Sequence, residues 1–138
     1  MEGFGIIEHE RILNEDDLWI VVKDRYPISP GHTLVIAKRV VARFADLTKE
    51  EKERLVTWVD WCIEHLQLTL DPKPDGFNVG LNDGAAAGQT IPQLHVHVIP
   101  RYNGDVPDPQ GGIRHVIPEK ARYWELDLDE SRRGGHDT

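Results

Sequence analysis

Between residues 88 and 102 the chain reads GQTIPQLHVHVIPRY. Side chains on a strand alternate faces, so Gln93, His95, His97 and Ile99 share one face and Leu94, Val96 and Val98 the other. The apolar set suits a core, which turns the polar set towards a cleft or solvent. Imidazole titrates near neutral pH, so such a pair can supply a nucleophile and a hydrogen-bond or proton donor in one place. Two histidines alone also fit a solvated sheet face. They equally fit an adventitious metal site completed by Asp83 or Asp105, although nothing has the spacing of a dedicated zinc motif.

The preceding residues favour phosphoryl chemistry. NDGAAAG (82–88) reads as a small, flexible loop in which Gly88 lets backbone approach a ligand. Gln89 and Thr90 add polar side chains, and backbone N–H groups in such a loop can hold phosphate oxygens. One histidine beside an anion-holding loop can attack phosphorus. The other can hydrogen-bond a phosphate oxygen or assist the leaving group.

These residues need a scaffold. LWIVVKD (18–24) and HTLVIAK (32–38) read as strands, and RYPISPG between them turns the chain into a hairpin. Residues 46–70 contain the one long helix. Thr48 and Glu51 form a capping-box pattern at its start, and Leu55, Val59, Cys62, Ile63 and Leu66 repeat at helical spacing. Trp58 and Trp61 beside that stripe read as core first and as a subunit interface second. DPKPDG (71–76) ends the helix; FNVGLN (77–82) and QLHVHVIP (93–100) read as two further strands. Strand-turn-strand, helix, strand-turn-strand is an α+β pattern.

Bulk properties bound the function. The chain has 138 residues, enough for one domain over 1–125 followed by a polar, disordered tail at 126–138. A net charge of -8 argues against a binder of nucleic acid by general phosphate attraction. The single cysteine, Cys62, excludes an internal disulfide and reads as core; with no signal-peptide pattern, the expected location is the cytoplasm. No apolar run has the length of a membrane span. Arg101 and Arg114 suit either a distal phosphate or a solvated surface, and His115 reads as a surface-loop histidine.

The stretch Gln93-Leu94-His95-Val96-His97-Val98-Ile99 resembles the His-φ-His-φ-His-φ-φ motif of the histidine triad (HIT) superfamily of nucleotide hydrolases and transferases, φ being apolar. NDGAAAGQT resembles that family's phosphate loop, and PISPGHTLVIAKR (27–39) its other recurring segment. The three segments stand in the right order, and the resemblance covers residues from about 10 to 105. The wording of GQT…HVHVIPR most resembles the branch that cleaves dinucleoside polyphosphates. The resemblance implies an antiparallel sheet with one long helix and a short helix packed on it, and a homodimer. It also implies His95 as nucleophile on the α-phosphorus of a nucleotide, through a nucleotidyl-histidine intermediate. His97 would then bond the phosphate near the leaving oxygen. Asn82, Gly88, Gln89 and Thr90 match positions that hold phosphates or ribose. His32 matches a supporting histidine, for which a structural role serves as well as a catalytic one. No tightly bound cofactor is implied; Mg²⁺ can arrive with the polyphosphate.

Gln93 stands where the first histidine of the triad belongs. An amide donates and accepts hydrogen bonds but does not titrate, so the expected role is to orient His95. In the transferase branch that makes uridylylated sugar it is the third histidine that glutamine replaces, and here the third, His97, is kept. The leading expectation is therefore a hydrolase of a dinucleoside polyphosphate such as diadenosine tetraphosphate. The rivals are a nucleoside phosphoramidase, a phosphorylase, and a nucleotide-binding module weakened at Gln93.

Overall fold

The computed structural model describes residues 3–125, so the expected tail at 126–138 lies outside the described residues. The chain divides into two compact units, Met1–Tyr102 and Asn103–Thr138. The first holds a five-stranded antiparallel sheet: β1 (Ile12–Glu15), β2 (Trp19–Lys23), β3 (Thr33–Ala37), β4 (Gly76–Gly80) and β5 (His95–Arg101), in the order β1-β2-β3-β5-β4. One long helix, α1 (Lys49–Thr69), follows β3. Short 3₁₀ helices, among them Phe44–Asp46 and Ala85–Ala87, complete the expected α+β architecture. In the second unit the 3₁₀ helices Gly112–Val116 and Pro118–Lys120 carry Arg114, which donates to the Lys120 carbonyl at 2.7 Å and lies over the Tyr123 ring. His115 there is exposed, as expected of a surface-loop histidine.

Alternation decides how the sheet is used. Trp19, Val21, Val35, Ala37, Leu94, Val96 and Val98 pack with Leu55, Trp58, Cys62 and Leu66 of α1 into the main core. Val22, Leu34 and Ile36 point to the opposite face, where Phe4, Ile7, Ile12 and Ile20 cover them. The central strand β3 is thus buried on both sides, which is why TLVIA reads as an unbroken apolar run. Burial also pushes the Cys62 thiol up to about 12, which keeps it protonated and makes it a core residue.

The helix begins as its sequence requires. The Thr48 hydroxyl accepts from Glu51 N–H, and the Glu51 carboxylate accepts from Thr48 N–H. Arg39 grips the same carboxylate through Nε and Nη2, and Arg39 is the first cause that holds the Glu51 carboxyl at about 2. Trp19 Nε1 donates to the Glu51 carbonyl, which fastens the helix start to β2. Trp58 is buried in the core as expected, while Trp61 is half-buried and stacks on His65.

β1 is an element the sequence reading lacks. It is short, mostly half-exposed, and its register against β2 shifts between Ile12 and Asn14, so no clean alternation marks it. The turn behind it is held by Asp16, whose carboxylate accepts from Leu18 N–H, Trp19 N–H, Trp58 Nε1 and Arg54. Burial alone would raise the Asp16 carboxyl; Arg54 and these N–H donors outweigh it and hold it at about 2.

Asp16→Ala should lower the unfolding free energy at neutral pH by about 1–3 kcal/mol in urea titrations, because several part-buried donors lose one acceptor together. The depressed carboxyl contributes fully above its ordinary value of 3.8 and loses that contribution as pH falls towards about 2. The gap between parent and variant should therefore narrow over that interval. A gap that stays constant would show that the charge of Asp16 is not what secures the turn.

Candidate active site

β5 pairs with β3 in a register that sets His95 beside Ile36 and His97 beside Leu34. Both imidazoles lie on the face away from α1, while Leu94, Val96 and Val98 are buried beneath them. A cleft of about 470 Å³ opens over this face, and its lining includes His95, His97, Asn82, Gly88, Gln89 and Thr90. On β4, Gly80 lies opposite His97, so no side chain crowds that imidazole from the edge.

The hydrogen bonds assign the protons. His95 Nδ1 lies 2.9 Å from the Gln93 carbonyl oxygen, which can only accept, so Nδ1 carries the proton. Nε2 of His95 then keeps its lone pair. At His32 the order is reversed. Ile28 N–H donates to Nδ1 at 3.2 Å, so the proton of His32 sits on Nε2. That Nε2–H reaches His97 Nδ1 at 2.9 Å, with the Asp24 carboxylate 3.3 Å away as a second acceptor. His97 Nδ1 thereby becomes an acceptor, and neutral His97 holds its proton on Nε2. The site contains one imidazole with a free lone pair and one that presents an N–H.

The surroundings keep that second imidazole neutral. Burial first, then the neighbouring His95 and His32, push His97 down to about 4. Burial also lowers His32, against the opposing pull of Asp24. His97 at neutral pH is accordingly a hydrogen-bond donor and not an imidazolium.

Asp24, His32 and His97 place ligand atoms within 4.8 Å of one another, the types that could hold a divalent ion. The donor pattern speaks against it. A metal on His32 Nε2 requires the proton on Nδ1, where it would meet the Ile28 N–H. The Asp83 carboxylate considered for a metal site is turned elsewhere: it accepts from Phe44 N–H and pairs with Arg43, tying the 82–90 loop to the segment before α1.

Several sequence expectations change in detail. It is the backbone carbonyl of Gln93, and not its amide, that orients His95. The Gln93 amide bonds Ala37 O and Phe4 N–H instead. Gln89 lines the cleft, yet its amide closes the loop by accepting from Gly84 N–H and donating to Ala42 O and Ile91 O. The N–H groups of Gly84, Ala87, Gly88 and Gln89 all donate within the loop. Gly88 adopts φ +95, while a Cβ there would meet Asn82 only at 3.8 Å, so conformation rather than space calls for glycine. Arg101 donates to Asn78 Oδ1 at 2.7 Å. Asp24 and Phe4 are among the cleft residues that the sequence does not mark as such. Asp24 stands eight positions before His32 and reaches it through the turn; Phe4 is flagged in sequence only by its two flanking glycines.

The chain is similar to known proteins over most of its length. A model of the HIT domain matches residues 8–104. The AP-4-A phosphorylase of Mycobacterium tuberculosis (strain ATCC 25618 / H37Rv) is 37% identical over 99 residues, 71% of this chain and 50% of that protein. The bis(5'-adenosyl)-triphosphatase of Dictyostelium discoideum is 35% identical over 133 residues, 94% of this chain and 87% of that protein. The crystal structure of the C. elegans NitFhit protein superposes with a TM-score of 0.68 at 29% identity, over 87% of this chain and 28% of that one. The chain spans about half the length of several curated relatives it matches.

Nitrogen-15 shifts at neutral pH should show Nδ1–H at His95 and Nε2–H at His32 and His97. His97 should remain neutral down to about pH 4. Its depressed value means that the neutral ring supports the fold fully above about 6.5 and that this support is lost as pH falls through about 4. An Nδ1–H tautomer at His97 would contradict the bond from His32.

Proposed function

The chain belongs to the HIT domain family, and from that premise we propose that it is a nucleotide hydrolase that cleaves a dinucleoside polyphosphate such as diadenosine tetraphosphate through a nucleotidyl-histidine intermediate. The observation that carries this reading is the tautomer of His95, whose Nδ1–H is held by the Gln93 carbonyl while Nε2 keeps its lone pair. That pair attacks the α-phosphorus and forms an N–P bond. The bond from phosphorus to the bridging oxygen breaks, and the polyphosphate leaves with the electrons. Positive charge then develops on the imidazole, where the Gln93 carbonyl dipole stabilises it. His97 offers its Nε2–H to a phosphate oxygen near the leaving group, a bond that strengthens as charge builds there. Water attacks the intermediate, the N–P pair returns to Nε2, the nucleoside monophosphate leaves, and the water proton passes to solvent.

His32 acts through His97 by fixing its tautomer. Asn82 and Thr90 border the cleft where phosphate or ribose oxygens would lie, and Gln89 shapes the loop that carries them. Mg²⁺ enters this scheme with the polyphosphate and not as a resident ion. A homodimer and a cytoplasmic location complete the proposal. The dimer rests on the family; among the described residues, no helix is long and apolar enough to cross a membrane. A weakened binding module loses its main support, because the Gln93 amide is not turned towards the reacting ring. A phosphorylase keeps some: one relative at 37% identity carries that name. It would use the same intermediate, with inorganic phosphate in place of water.

Rapid quench with α-labelled diadenosine tetraphosphate should trap acid-labile, base-stable label on His95. His95→Asn should fold and bind nucleotide, yet lose turnover by several decades, as removal of a nucleophile does. His97→Ala should lose about 10²–10⁴-fold, the usual share of a positioned donor. Products separate the two readings: water releases AMP from the intermediate, whereas added phosphate would yield ADP. Near-parental turnover in His95→Asn, or label on another residue, would refute the mechanism. Light scattering that returns the mass of one 15.7 kDa chain at micromolar concentration would refute the dimer.

A further inference from the structure

The N-terminal segment runs across the sheet face that carries the two imidazoles. Phe4 and Ile7 pack on Val22, Leu34 and Ile36, and Gly3, Phe4, Ile6 and Ile7 line the cleft. One side chain fastens this segment at its start. The Gln93 carboxamide accepts from Phe4 N–H at 2.9 Å through Oε1 and donates to the Ala37 carbonyl at the end of β3 through Nε2. The fit is close: a Cβ on Gly3 would fall 2.2 Å from Gln93 Oε1, and Gly3 has φ +90. Held there, the Phe4 ring meets the His95 imidazole edge to face, with centroids 4.8 Å apart and planes at 89°.

We propose that Gln93 is a positioning residue that clasps the segment Gly3–Ile7 as a strap over the cleft, and so seats Phe4 against the reacting imidazole. Residue 93 then holds His95 twice. Its carbonyl fixes Nδ1, and its side chain fixes the strap whose ring limits rotation of the imidazole. A carboxamide suits the task because it is donor and acceptor at once and never changes charge. The strap also closes one wall of the nucleotide cleft, so its release should weaken substrate binding more than it slows the chemical step. The inference rests on His95 as the reacting group, but the clasp can be tested apart from turnover.

Three variants separate the parts. Gln93→Met keeps the length of the side chain and removes both bonds. Gly3→Ala breaks the clasp from the strap side. Phe4→Leu keeps the backbone bond and removes the ring. Amide exchange by NMR should show Phe4 N–H protected in the parent and in Phe4→Leu, and exchanging at least about tenfold faster in Gln93→Met and Gly3→Ala. The His95 ring protons should shift in all three. With diadenosine tetraphosphate, KM should rise about three- to tenfold in each, the worth of one hydrogen bond or one aromatic contact, while kcat falls less. Gln93→Met combined with Gly3→Ala should be no worse than either alone, because both open the same clasp. An unprotected Phe4 amide in the parent, additive effects in the double variant, or parental KM with a released strap would each overturn the proposal. A parent that does not turn over the dinucleotide would instead overturn the hydrolase reading, and the exchange rates and His95 shifts would still decide the clasp.

Discussion

The register of β5 against β3 is the constraint that everything else obeys. Val96 faces Val35 and His97 faces Leu34, so the apolar side chains of β5 enter the core under α1 and the imidazoles emerge on the other face. A slip of one residue would drive both imidazoles under the helix and expose Leu94, Val96 and Val98. Burial of those three side chains therefore does more than stabilise the sheet. It makes the orientation of the site a consequence of the hydrophobic effect, with no dedicated contact needed to aim it.

Proton placement follows from the backbone. An N–H from Ile28 and a carbonyl from Gln93, both fixed by the fold, decide the tautomers of His32 and His95, and His97 follows from His32. With its proton on Nε2, neutral His97 turns a hydrogen-bond donor towards the cleft. Buried Leu34, the neighbour of His97 on β3, acts in the same direction, since low polarity disfavours the imidazolium there. Here the two faces of β3 cooperate: one anchors the helix, the other sets the electrostatics of the cleft.

What could be read from sequence was local. The Thr48–Glu51 capping box, the stripe of Leu55, Cys62 and Leu66, and the two faces of β5 each depend on residues a few positions apart. What could not be read depends on where a side chain turns. Gln89 beside the cleft looks the same in sequence whether its amide meets a phosphate or closes its own loop, and the fold selects the loop. Gln93 looked like a partner of His95 because they share a face, but its side chain reaches along the sheet to Ala37 and Phe4. β1 escaped because a bulge and half-exposed residues erase the period-two signal.

The spans of the bonds around the cleft also say something about its assembly. Ile28 meets His32 across 4 positions, whereas His32 meets His97 across 65 and Phe4 meets Gln93 across 89. Closing a longer loop costs more chain entropy, so contacts of this kind lag behind local ones as a chain folds. During synthesis the β2–β3 hairpin can form while β5 is still inside the ribosome, and the chain then has a sheet edge where the histidine-bearing strand will insert. The contacts that complete the cleft, which join the most distant segments of the chain, therefore belong to the closing steps of folding.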